Sequence, residues 1–409
     1  MEFLFNLFEV TLFWWALTTL TLCLACFLAW KKLRKKIRLF KNRIFGRTEL
    51  PHPTPSHKFI PFMRLGYVKG KSFSNQPLRF RRSVKSSAAQ IGEKFERVII
   101  VHGTFVGTDV FGVEPLLQEI NSPLSRRILK SLSAITSVSS KRLASDGGRF
   151  SDESIDIITK NVGESCKVIT FDWGSENHHA GRLRGFIKLF HSLSDMHSNK
   201  KESLRTLFIG HSHAAQIFAL LSWLPKSVPP TDLKNYLIHK ITNGEDSHFY
   251  NTHPWLRKPD FHFFTLGSPA RYPWSGYPFS VHHLINHRGE HLSAIALFGF
   301  ARARFGDYVQ LWGVNGSDFK PASQGDLKIC SELDTLLGED SFNKKVWLKT
   351  IARQSRLHSF GESIFVDFED NSLFSKSLYK NFFGHGVYMN KENLGYVLQV
   401  IAEHTCLND

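Results

Sequence analysis

Cysteine is scarce in this chain of 409 residues: Cys23, Cys26, Cys166, Cys330 and Cys406 are five in all, odd in number and widely scattered. That excludes a disulfide framework, and no paired CxxC spacing offers a zinc site. Glycine-rich phosphate loops are also missing. Neither GxxxxGK[ST] nor GxGxxG occurs, so nucleotide chemistry lacks its backbone cradle. There is no internal repeat and no long low-complexity tract. Charged residues make up only 22% of the chain against 42% hydrophobic and 13% aromatic, which excludes a disordered chain and allows a sizeable core.

Acid is absent where base is densest. The whole chain carries 52 Lys and Arg against 36 Asp and Glu, a net charge of +16. Residues 31–47 hold nine bases and no acid, directly after residues 10–30, which are 21 consecutive residues without a charge. At about 1.5 Å per residue such a run spans about 30 Å, the hydrocarbon thickness of a bilayer. Trp14, Trp15 and Trp30 lie toward its ends. The pattern predicts a transmembrane anchor over residues 1–30, with residues 31–409 held on the cytoplasmic side by the bases that follow the span. A cleaved signal peptide would carry its positive charge before a shorter apolar run.

Residues 31–90 then read as a basic, proline-containing juxtamembrane linker, with seven bases and no acid between Arg64 and Lys85. The alternative is a merely solvated tether. A nucleic-acid role would need these bases in a groove on the folded part, whereas the densest cluster abuts an apolar span, so no nucleic-acid partner is expected.

From residue 91 onward short apolar runs alternate with amphipathic stretches. ERVIIVHG (96–103), KVITFDWG (167–174), LRTLFIGHS (204–212) and FHFFTLGS (261–268) are β-branched and aromatic, as buried parallel strands are. The intervening stretches carry helical spacing, so residues 91–409 are expected to form an α/β domain with a mostly parallel sheet flanked by helices. Ligands of such sheets bind at the carboxyl ends of the strands.

At one of those ends stands Gly210-His211-Ser212-His213-Ala214, which fits G-x-S-x-G with alanine in the last place. Between a strand and a helix, this pattern makes a sharp turn that lifts a serine hydroxyl clear of the sheet. The competing reading is a glycine-turn serine that only caps the helix. At the end of the first strand, the Thr104 amide after His102-Gly103 and the His213 amide after the serine are the two expected oxyanion donors. His102 itself fits a loop-supporting role better than that of a base.

Together, VHGTF, FDWGSENHHAGR, GHSHA, TLGSPARYPW, DYVQLWGVNGSDF and GHGVY resemble the lipase-like serine α/β-hydrolases, notably a bacterial membrane-anchored group. The similarity covers about residues 96–405. It implies an α/β-hydrolase fold and a triad in the order serine, acid, histidine. His385, on a glycine-flanked loop with Tyr388 three residues on, is the implied histidine. The acid candidates are Asp307, Asp318, Asp334 and Asp367. Asp318, at the end of the strand-like YVQLWGVNGSD, matches the acid position by resemblance, with Asp367 in SIFVDFED as the second choice.

The resemblance implies a serine esterase or lipase acting on acyl-lipid or another ester, with no cofactor and no metal. The alternative is a non-catalytic hydrolase-fold module for binding or assembly at the membrane. A candidate lid spans 109–150, where residues 121–145 have five bases, no acid and apolar residues at helical spacing. Twenty histidines raise the question of a metal. His282, His283, His287 and His291 fall at helix-compatible spacings, but no zinc signature or acidic partner completes a set by spacing.

Overall fold

The computed structural model describes residues 84–104, 150–198, 203–286, 307, 309–310, 318–338, 358, 360–366, 385–389 and 391–406. The expected anchor, all of the linker before residue 84, the basic segment 121–145 and Asp367 lie outside the described residues. Among the described residues no helix is long and apolar enough to cross a membrane.

Among the described residues six parallel strands form one sheet: β1 (Arg97–Val101), β2 (Lys167–Phe171), β3 (Thr206–His211), β4 (Phe261–Leu266), β5 (Ser280–Asn286) and β6 (Glu362–Val366). Their spatial order is β2-β1-β3-β4-β5-β6. The four runs read from sequence are β1 to β4. The chain steps outward from β1 to β2, then crosses back to lay β3 on the other side of β1. The order therefore reverses between β1 and β3, the position at which sheets of this kind take ligands at the carboxyl ends of their strands.

Helices cover both faces, because alternate strand residues point opposite ways. Ile99, Val101, Phe208 and Phe263 belong to one apolar cluster, with α3 (His179–His197), α4 (Ala214–Leu221), α5 (Asp232–Thr242) and α6 (Gln324–Leu337). Val98, Ile100, Leu207 and Phe264 belong to the other, with α1 (Val84–Lys94), α2 (Asp152–Val162) and α7 (Lys391–Cys406). The helix α1 begins inside the segment expected to be linker, so its last seven residues are already folded.

Local signals fix the helix ends. Ser151 and Ser323 accept the amides of Ser154 and Asp326, each at 3.1 Å, satisfying a first-turn donor of α2 and α6. The helix α3 buries Leu183, Phe186, Leu189, Phe190 and Leu193, a stripe at three- and four-residue spacing.

Two expectations about local structure are overturned. His282 and His283 lie on the strand β5 rather than on a helix, facing opposite sides of the sheet. Val309 and Gln310, in the stretch that reads as a strand, are helical. The reason is Asp307: its Oδ1 accepts the Gln310 amide at 2.8 Å, a capping bond that starts a helical turn.

Candidate active site

Ser212 sits between the last residue of β3 and the first of α4, with φ = 56°. A left-handed conformation is costly for a residue with a side chain. The surroundings hold it there. Its amide donates to the Leu266 carbonyl at 2.9 Å, so the turn hangs on β4. A β-carbon at Gly210 would strike the Phe218 ring and come within 3.0 Å of the Ala214 methyl. Position 210 must therefore be glycine, and that freedom is what accommodates alanine at 214.

The turn after β1 closes on the same point. A β-carbon at Gly103 would lie 2.7 Å from the Ser212 β-carbon, so the backbone before Thr104 passes directly beside the serine. Thr104 and His213, the two expected oxyanion donors, face each other across this gap: the Thr104 hydroxyl and the His213 Nδ1 are 3.1 Å apart. The Ser212 hydroxyl lies 3.5 Å from the same nitrogen. Burial, reinforced by the Arg182 and Arg271 charges, holds the His213 imidazole well below its ordinary pKa, so it is neutral.

His102 supports the loop, as its position implies. Its Nε2 accepts the Trp173 amide at 3.4 Å and lies 3.3 Å from Asp172, and the Trp173 indole donates to its carbonyl at 2.9 Å.

His385 is buried, with its ring against that of His211, the residue before the serine, at 4.3 Å between centroids. His211 Nε2 donates to the His385 carbonyl at 3.0 Å, so the elbow and the histidine loop are tied together.

The acid partner of His385 is a correction to the expectation from sequence. His385 Nδ1 lies 2.7 Å from Asp307 Oδ2, and it is Asp307, not Asp318, that the fold brings to the histidine. Asp307 follows β5 in space, since its amide donates to the carbonyl of Asn286, the last residue of that strand, at 3.1 Å. Its carboxylate is fully buried and fully used. Oδ1 receives the Gln310 amide, while Oδ2 receives the Tyr388 hydroxyl at 3.1 Å as well as His385. Gly267 makes room: with φ = 56°, its β-carbon would fall 2.5 Å from Asp307 Oδ2.

Asp318 is occupied elsewhere. Arg182 clasps it with two hydrogen bonds of 2.9 and 2.8 Å, and Arg271 adds a third at 2.5 Å. All three side chains are fully buried. Burial alone would raise the Asp318 pKa, but the two guanidiniums outweigh it and hold the carboxyl well below its usual range. Arg182 also reaches the Asn177 side chain at 2.8 Å, and the Phe319 amide donates to the Asn177 carbonyl at 2.9 Å. Asp318 thus ties FDWGSENHHAGR, TLGSPARYPW and its own segment into one ion cluster behind the elbow. Asp334, another candidate, pairs with His179 at 2.9 Å.

Neither Arg182, in the first turn of α3, nor Arg271, in the segment after β4, has a sequence signal, because an arginine in such a place is ordinarily solvated. A signal for Asp307 did exist. It opens the DYVQLWG motif, but the apolar residues after it read as a strand whose end, and so whose acid, seemed to lie at Asp318. Compared with protein-family models, with curated proteins and with solved structures, the chain has no match.

Proposed function

We propose that this chain is a serine hydrolase of the α/β-hydrolase fold that cleaves ester bonds through an acyl-enzyme intermediate. The observation that carries the reading is the left-handed Ser212 at a strand–helix turn, beside the chain reversal of the sheet, with a buried His385–Asp307 couple alongside. A glycine-turn serine that only capped a helix would have no reason to adopt that backbone. A binding module would have no use for a buried imidazole–carboxylate pair next to it.

The geometry supports a defined division of labour. With Asp307 ionised, His385 donates Nδ1–H to Oδ2, which leaves the Nε2 lone pair as the base. Nε2 takes the Ser212 proton as the hydroxyl oxygen attacks the ester carbonyl, and returns it to the departing alcohol. Asp307 fixes the ring and stabilises the imidazolium without itself being protonated. The amides of Thr104 and His213, from the turns after β1 and β3, receive the oxyanion. Water then repeats the sequence on the acyl-serine. The neutral His213 side chain braces the Thr104 turn, which keeps both donors in register.

Acyl-lipid is the substrate class we favour, because the apolar span at 10–30 and the nine bases after it would hold the domain at the cytoplasmic face of a membrane, where lipid esters lie. A fluorophosphonate probe tests both parts. The wild-type chain should be labelled in the membrane fraction of cells. Ser212→Ala should lose the label and about 10⁶-fold in kcat on an ester. Deletion of residues 1–47 should move the labelled band to the soluble fraction. Label retained in Ser212→Ala would end the serine assignment, and a deletion that stays in the pellet would end the anchoring.

A further inference from the structure

At the amino ends of β5 and the edge strand β6, opposite the carboxyl ends where Ser212 sits, the fold brings together three side chains that the hydrolase reading does not use. His282 on β5 and Glu362, the first residue of β6, are directly paired across the two strands. His404 reaches the same carboxylate from the last turn of α7. Glu362 Oε2 is 3.1 Å from His282 Nδ1 and 3.0 Å from His404 Nδ1, and the three potential ligand atoms lie within 4.8 Å of one another.

We propose that His282, Glu362 and His404 form a binding site for a divalent transition-metal ion, Zn²⁺ foremost, that clamps α7 to the edge of the sheet. Two imidazole nitrogens and one carboxylate oxygen suit Zn²⁺ or Co²⁺ rather than Mg²⁺ or Ca²⁺, which prefer all-oxygen sets. Bonds from zinc to such ligands are about 2.0–2.2 Å, so adjacent ligands stand about 3.0–3.5 Å apart. The two nitrogen–oxygen spacings already fall in that range. Glu362 and His404 are partly exposed, with 48% and 25% of their side chains accessible, so an ion can enter from solvent and keep water in its remaining positions.

The surroundings complete the arrangement. Ser280 Oγ lies 2.9 Å from His282 Nε2, two residues along the same face of β5, and fixes the ring plane as an outer-shell partner does. Without metal, each Nδ1–H donates to Glu362. With metal, both Nδ1 lone pairs go to the ion and each imidazole proton resides on Nε2; for His282 it is then donated to Ser280 Oγ, which can accept as well as donate. Three ligands numbered 282, 362 and 404 have no recognisable spacing, which is why the sequence offers His282 without its partners.

The site needs nothing from Ser212, and its test is separate. The purified full chain in detergent is stripped with EDTA and titrated with CoCl₂. One Co²⁺ per chain should bind with visible d–d absorption, be displaced by Zn²⁺, and raise the melting temperature. Glu362→Gln and His404→Gln, both at partly exposed positions, should each lose the band while keeping the wild-type circular dichroism. Ser280→Ala should weaken affinity about tenfold, and Ser212→Ala should bind as wild type. Absence of stoichiometric Co²⁺ uptake by the wild type, or uptake that survives both ligand substitutions, would overturn the proposal.

Discussion

Asp307 and Asp318 lie in neighbouring parts of the chain, are both buried carboxylates, and stand in very different company. Asp307 faces an imidazole, a phenol and a backbone amide, and carries the only formal charge among those partners when His385 is neutral. Asp318 faces two guanidiniums and is outnumbered by positive charge. The first arrangement can hold a proton on an imidazole and stabilise a cation that comes and goes. The second is a permanent ion cluster, whose carboxylate has no vacancy for a third role. Burial and position along the chain do not separate the two; the groups opposite each carboxylate do.

The largest effect that would test this contrast is on turnover. Asp307→Asn should lower kcat on a soluble ester about 10⁴-fold, as loss of a triad acid does. The direction follows from the hydrogen bonds. The Gln310 amide requires an acceptor, so the asparagine oxygen must take the Oδ1 place and its NH₂ must face His385. Nδ1 then becomes an acceptor, the proton resides on Nε2, and the base is lost. Asp318→Asn should instead cost about 3–5 kcal/mol of stability in urea unfolding, because two buried guanidiniums lose their counter-charge. The folded fraction should keep activity close to wild type. A stable, inactive Asp318→Asn beside an active Asp307→Asn would reverse the two assignments.

The smallest effect concerns acid. The Asp318 cluster withstands mild acidification, since its carboxyl is held below the ordinary range. Buried histidines give way first. Burial lowers the His358 pKa to about 4, and its ring stacks at 3.5 Å on His283, which burial lowers further with help from His358. Unfolded histidine titrates near 6.5. Between about pH 6.5 and 4 the unfolded chain therefore binds more protons than the folded one, and stability falls as pH is lowered. The melting temperature should decline through this window, and His358→Gln should shallow the slope. A slope unchanged by that substitution would place the sensitivity elsewhere.

The strands β1 to β4 were legible because continuous apolar runs ending in glycine have few other uses, and Ser212 was legible because its small neighbours answer a steric demand. β5 was not, since SVHHLIN places two histidines in mid-strand, where polarity argues for another element. The acid was misassigned for a related reason. VQLW has the composition of a strand, and the capping bond that makes Val309 and Gln310 helical depends on a carboxylate delivered by β5, which lies outside any local window. Likewise the bidentate grip of Arg182 on Asp318 joins residues whose proximity only the folded sheet creates.

The packing of α1 against α7 has a consequence for how the domain is made. Among the described helices α1 packs against α2 and, more extensively, against α7, and Lys94 donates to the Thr405 carbonyl across a sequence separation of 311 residues. Closing so long a loop is entropically late, and such topologies fold slowly. A ribosome therefore releases nearly the whole chain before α7 can complete the cover that α2 begins over α1. Under the anchoring proposed above, the domain would close this contact already tethered to a bilayer. The late arrival of α7 makes the interval before it the period when the apolar residues of α1 are least covered.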